Sequence, residues 1–134
     1  MAAELSEKVK QAIDAPNFWH VATVNPDGSP QSTTMWVALR DGQILLNTAI
    51  GRKKDRNLAG NPRVALSFSP PDSPYNAIAI QGRVVETYDG EPAEADIDSL
   101  AKKYIGEDVY PWRKPDERRR SFVVEPTHVY HQDR

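Results

Sequence analysis

The stretch Gln31–Asn57, QSTTMWVALRDGQILLNTAIGRKKDRN, decides how this chain is read. Gln31 to Leu39 is rich in Thr, Val and aromatic character, as strands are. Arg40-Asp41-Gly42 then turns the chain tightly into a second strand, Gln43 to Thr48, because Asp-Gly supplies the positive φ that short hairpins need. Directly after it comes Gly51-Arg52-Lys53-Lys54-Asp55-Arg56, four cations and one acid at the expected start of a helix. A helix N-terminus already presents unpaired N–H groups and the positive end of the dipole, so cations there work against the helix. Their presence makes sense when an anion, most simply a phosphate, shares the place. Taken alone, such a run is an ordinary solvated face; its strand–turn–helix setting turns the reading toward an anion site.

Working outward, Glu4 to Ala15 reads as an amphipathic helix with Leu5, Val9, Ala12 and Ile13 at helical spacing and Pro16 as its stop. Phe18 to Asn25 is a strand ended by Pro26-Asp27-Gly28. With the two strands above, it predicts a three-stranded antiparallel meander. Asn61-Pro62 ends the short basic helix, and Arg63 to Ser69 forms a fourth strand. Pro70 to Pro74 is too proline-rich for any regular element. Asn76 to Tyr88 is a long fifth strand whose Gly82 marks a bulge or bend. Glu91 to Ile105 is a helix capped by Gly106, and Ser121 to Glu125, continued by His128 to His131, is a sixth strand. Mainly β with flanking helices, six mainly antiparallel strands favour a small closed barrel, since closure removes exposed edges. A doubly wound α/β fold does not fit connections this short.

Composition bounds the chemistry. At 134 residues the chain fits one domain, residues 1–134. Its net charge of −2 and pI near 5.9 argue against a general nucleic-acid binder. Without cysteine there are no disulfides, thiol redox chemistry or thiolate metal sites. No apolar run is long enough to span a membrane and the first residues lack a signal-peptide pattern, so the cytoplasm is the expected compartment.

Catalytic motifs are missing: no GxSxG, HExxH, Walker A or GxGxxG pattern occurs, and His20, His128 and His131 are too scattered for a metal triad. An enzyme of this kind would leave the hard chemistry to a cofactor. The candidate holders are Thr48, which offers a hydroxyl, and Arg52, Lys53, Lys54, Arg56 and Asn57 after it. In the preceding strand Thr33 and Met35 share one face while Thr34 and Trp36 share the other, either of which suits a flat ring or plain sheet packing. Trp112 lies in an irregular stretch beside Arg113 and Lys114, and either walls a pocket or pins its loop. Arg118-Arg119-Arg120 reads as a solvated turn, or as three cations able to attract a polyanionic tail.

The order FWHVATVNPDGSPQSTTMWVAL, then DGQILLNTAIGRKKDRNLAGNPRVALSF, then PYNAIAIQGRVVE resembles the pyridoxamine 5′-phosphate oxidase-like split-barrel flavoproteins. Its most specific part is T-x-x-G-R-K-K-x-R-N-L-x-x-N-P-R-V, and it is most similar to the short branch that uses the deazaflavin coenzyme F420. The resemblance implies a six-stranded split β-barrel homodimer with two cofactor sites at the subunit interface and no catalytic side chain. It carries phosphate contacts onto Arg52, Lys53, Lys54 and Asn57, places Thr48 and Ala49 beside the cofactor, and puts Thr33, Thr34 and Met35 by its ring. Pro74, Tyr75, Ile80 and Trp112 would approach from the second subunit. It does not extend to the substrate-phosphate residues or C-terminal segment of the true pyridoxamine phosphate oxidases. The implied function is hydride transfer from reduced coenzyme F420 to an unsaturated organic substrate, with Tyr75, Tyr110 or solvent as proton source. FMN as the cofactor of the same fold, and a carrier or sensor without turnover, are the alternatives; neither nucleic acid nor membrane is an expected partner.

Overall fold

A computed structural model describes residues 2–134. The helix α1 (Glu7–Asp14) starts where the Ser6 hydroxyl accepts from the Val9 amide, and it buries Val9 and Ile13. Strand β1 (Trp19–Val24) turns Trp19, Val21 and Thr23 inward by strict alternation and pairs with β2 (Pro30–Met35). The strand expected over Gln31 to Leu39 then breaks. Trp36 and Val37 belong to no strand, and β3 (Ala38–Arg40) pairs instead with β4 (Gln43–Ala49). Asp41 and Gly42 both have positive φ, 50° and 76°, as a two-residue hairpin of the favoured hand requires.

The break has a local cause. The Val37 amide donates to the Tyr104 hydroxyl at 3.1 Å, and the Val37 carbonyl accepts from Lys103 Nζ at 2.6 Å. Both residues come from α3 (Glu91–Ile105), so a helix, and not a neighbouring strand, satisfies this peptide. Lys103 also donates to the Ile13 carbonyl at the end of α1.

After β4 the chain forms α2 (Lys53–Gly60), β5 (Arg63–Phe68), β6 (Ile78–Asp89), α3 and β7 (Arg119–His131). Seven strands, one more than expected, lie in the order β2-β1-β5-β6-β7-β4-β3, and every pairing is antiparallel. The predicted meander is therefore corrected: β2 and β3 occupy opposite edges of the sheet. The closed barrel is corrected too, because among the described residues no ladder joins those edges and the sheet is open. Only two residues connect them, however. Three virtual bonds span at most about 11 Å, so the sheet must curl until its edges approach at residues 36 and 37.

Curling is helped by irregularities in the longest pair. The β6–β7 register shifts at Gln81/Gly82, opposite Pro126, and again at Val84/Glu86. Gly82 is required there: a Cβ on it would lie 2.7 Å from Val124 Cγ1 and 2.8 Å from the Glu125 carbonyl. Inside the curl, Trp19, Val21, Ile44, Leu46, Leu66, Ile80, Phe122 and Val124 form the core. The helix α3 covers β4 and β7 on the other side, burying Ala93, Ile97, Leu100 and Ala101. Among the described residues no helix is long and apolar enough to cross a membrane.

Burial lowers the Lys103 ammonium from the ordinary lysine value of 10.5 to about 8, against a weaker opposing pull from Asp14. Between those two values the unfolded chain binds the extra proton, so this residue's contribution makes the fold more stable as pH rises from about 8 toward 10.5. The stability difference between wild type and Lys103→Met, followed by urea denaturation, is expected to grow in favour of wild type across that window. A difference independent of pH would contradict this account of Lys103.

A cationic cleft at the split

The site grows from the end of β4. Thr48 is 2% exposed, yet its Oγ1 has no hydrogen-bond partner among the described residues. A buried hydroxyl left unpaired is unfavourable unless something outside the protein satisfies it. Thr48 lines a cleft of about 190 Å³ together with Thr34, Met35 and Trp36 from the break between β2 and β3. Arg52 and Lys54 close it from the start of α2, and Arg119 from the start of β7. Ile97 and Leu100 of α3 and the loop residues Tyr110 and Trp112 complete the wall.

The basic turn is folded so that its one acid does not cancel the cations facing the cleft. Asp55 accepts from the Gly51 amide at 2.9 Å and from Arg120 at 2.8 Å, and is 4% exposed. Arg52 is the N-cap of α2 but offers it no side-chain cap, so the first-turn amides lack that partner. Lys54 is half-buried, and its ammonium is held below the usual lysine value, first by burial and then by the charges of Arg52 and Arg119. A cation depressed by other cations is one that an incoming anion would stabilise.

The aromatic side of the cleft is one connected cluster. Trp36 stacks on Tyr104 with ring centroids 5.3 Å apart, and meets Tyr110 edge-on at 6.1 Å and Trp112 at 6.2 Å. Trp112 remains 59% exposed, so it stands as a rim and does not pin the loop into the core.

Of the residues singled out from sequence, the structure brings Thr34, Met35, Thr48, Arg52, Lys54 and Trp112 into one cleft. Thr33 faces the barrel interior side of β2, and Ala49 is buried just past Thr48 without lining the cleft. Lys53 is exposed and lies outside the lining. Asn57 lies outside the cleft lining. Its amide donates to Thr23 Oγ1 at 3.1 Å and Asn25 Oδ1 at 2.9 Å, and it is 4% exposed, so it fastens α2 to β1. Ile80 also lies outside the lining, with its side chain in the core at 1% exposure. Pro74 and Tyr75 sit on an exposed loop away from this cleft's lining, and Tyr110, not Tyr75, is the tyrosine the cleft contains.

Arg119, Asn47 and Glu117 were missed. The run Arg118-Arg119-Arg120 is not a solvated turn: Arg119 is 4% exposed and opens β7. The signal was the period of two. Arg119, Ser121 and Val123 share the face that α3 covers, whereas Phe122 and Val124 face the core. Starting the strand at Ser121 hid that alternation.

An antiparallel sheet curled to a split, with a cation-lined cleft at that split, defines a protein of the split-barrel class. The chain belongs to the pyridoxamine 5′-phosphate oxidase family, whose model matches residues 5–133. A pyridoxine/pyridoxamine 5′-phosphate oxidase of Bacteroides fragilis is 30% identical over 130 residues, covering 90% of this chain and 53% of its own length. The chain thus spans about half the length of the curated relatives it matches. Among solved structures, an F420 reductase is similar with a TM-score of 0.81 and 31% identity, over 94% of this chain and 98% of its own. A heme storage protein of Vibrio cholerae shares the fold at a TM-score of 0.69 and 14% identity, covering 97% of this chain and 96% of its own.

Replacing Asn57 with Ala is expected to lower stability by about 1–3 kcal/mol in urea denaturation, since the buried Thr23 hydroxyl and the half-buried Asn25 carbonyl lose their donor. An unchanged midpoint accompanied by lost anion binding would restore Asn57 to the ligand site.

Proposed function

We propose that this protein is an oxidoreductase that uses reduced coenzyme F420 to pass a hydride to an unsaturated organic substrate, and that it works as a homodimer with the cofactor between subunits. The observation that carries this reading is the gathering of Arg52, Lys54 and Arg119 with Thr48 along one cleft. That donor set suits an anionic group such as a phosphate: a hydroxyl donor, a compact ammonium and planar guanidinium forks. The likeness to an F420 reductase, at 31% identity over nearly the whole of both chains, supports the choice of cofactor.

In this reading Lys54 and Arg52 hold the phosphate and Thr48 donates to it, while Thr34, Met35 and Trp36 lie along the ring side of the cleft. When bound, reduced coenzyme F420 supplies the hydride. The chain supplies position and exclusion of water, and the Tyr110 hydroxyl or solvent delivers the proton that completes reduction of the substrate double bond. A second copy fits the same picture. The outer face of β1, β5, β6 and β7 carries a concave groove of about 850 Å³ lined in part by the small residues Ala22, Ala65 and Gly82. Tyr75, 76% exposed on the loop before β6, is free to contact a neighbouring subunit.

Lys54→Ala is expected to weaken coenzyme F420 binding by about 1.5–3 kcal/mol in a fluorescence titration while the urea midpoint stays near wild type. Unchanged affinity would sink the assignment. Steady-state oxidation of the reduced cofactor by a panel of enones and quinones separates an enzyme from a carrier or sensor: binding without any turnover across the panel would remove the oxidoreductase reading.

A further inference from the structure

We propose that Arg119 is an anion-binding residue of the cleft, aimed at the ligand by a directional chain of buried hydrogen bonds that begins at Asp96. The proposal deepens the cofactor reading above and rests on it for the identity of the ligand, but not for the presence of an anion site.

The direction of the chain is fixed at its far end. Asp96, 8% exposed on α3, accepts from Arg40 Nη2 at 2.8 Å and from the Tyr88 hydroxyl. It also accepts from Ser121 Oγ at 2.7 Å, which commits the Ser121 proton. Ser121 can then only accept from its other neighbour, and Asn47 Nδ2 donates to it at 3.0 Å. The same Asn47 nitrogen donates to the Ala93 carbonyl at 2.9 Å. With its amide nitrogen facing two acceptors, Asn47 must present Oδ1 on the opposite side, where Arg119 Nε donates to it at 2.8 Å.

That bond sets the plane of the guanidinium. Glu117 steadies one arm, with Oε2 3.1 Å from Arg119 Nη1, while its other oxygen lies 3.6 Å from Arg52. The ring of Tyr110 lies 5.2 Å from the guanidinium carbon. Arg119 Nη2 makes no hydrogen bond within the described residues, although the side chain is only 5% exposed. The guanidinium is thus held on one edge by protein partners and keeps its Nη2 edge free for a ligand. Arg119 lines the cleft together with Arg52 and Lys54. Cations from β7 and from the start of α2 therefore converge on one small volume. Among the described residues Glu117 is the carboxylate paired with the Arg52 and Arg119 guanidinium groups, while Glu94 accepts from the Arg119 backbone amide at 2.8 Å. Three cations thus meet one paired carboxylate, and the cleft keeps an excess of positive charge.

The ligand chemistry follows from the donors. A planar fork on one side and a compact ammonium with a hydroxyl on the other suit a group with several acceptor oxygens, as in a phosphate monoester or diester, better than a single carboxylate.

The test uses the full chain with two probes, inorganic pyrophosphate by calorimetry and coenzyme F420 by fluorescence. Arg119→Gln is expected to weaken both by about tenfold or more. Arg119→Lys, which keeps the charge and can still meet Glu117 but loses the fork, is expected to weaken both by less than Arg119→Gln while unfolding near wild type. Ser121→Ala, distant from the ligand, is expected to weaken pyrophosphate binding severalfold with Lys54 untouched, a result that packing alone would not give. Where Arg119→Gln does not fold, the lysine variant decides. Full-affinity binding of pyrophosphate by a folded Arg119 variant overturns the proposal. If Lys54→Ala loses binding and the Arg119 variants do not, the cofactor reading stands and this inference falls. If pyrophosphate binding depends on Arg119 but coenzyme F420 does not bind, the anion site stands and the cofactor reading falls.

Discussion

The peptide of Val37 is the constraint on which the rest depends. Its N–H goes to Tyr104 and its C=O takes Lys103, so one helix claims the backbone that would otherwise continue a strand. The chain therefore leaves one edge of the sheet and joins the other within two residues. The curl of the sheet, the position of α3 and the place of the cleft all follow. Trp36, the residue before Val37, is stacked on Tyr104 and becomes a wall of the cleft by the same act. Fold and site are thus fixed by one short contact set rather than by separate features.

The site also shows how a charged cleft is kept stable without a ligand. Like charges gathered at a helix start repel, and here three devices limit the cost. Asp55 is turned inward to cap the Gly51 turn and to hold Arg120. Glu117 lies between Arg52 and Arg119. Lys54 is pushed toward its neutral form by burial and by its cationic neighbours. The Nη2 edge of Arg119 keeps no partner among the described residues and lines the cleft, where a ligand would act. The catalytic burden in such an arrangement falls on the bound cofactor, and the protein's part is electrostatic and geometric.

Most elements could be read from the sequence because their signals are local. The Asp41-Gly42 turn, the Pro16 stop, the Gly82 irregularity and the Gly106 cap each act within a few residues. The strand break at Trp36-Val37 could not be read this way. Those residues have strong strand character, and the partners that divert them lie 66 and 67 positions later. The clustering of the basic segment was legible because strand, turn and helix start are contiguous, and Thr48, Arg52 and Lys54 do meet in one cleft. The partners of Asn57 are not legible in the sequence, because its position in the run says nothing of Thr23 and Asn25, which claim its amide. Arg119 was hidden for the opposite reason: a triple-arginine run looks solvated until strand alternation and the cover of α3 are both known.

The central claim is that the cleft at the split holds coenzyme F420 by its phosphate. Parallel fluorescence titrations of the full chain, freed of bound cofactor, with coenzyme F420 and with FMN test it most directly. The account predicts saturable binding of coenzyme F420 at least about tenfold tighter than FMN, with the tighter binding lost in Lys54→Ala. Tight binding of FMN with none of coenzyme F420, or binding of either that ignores Lys54, would contradict it.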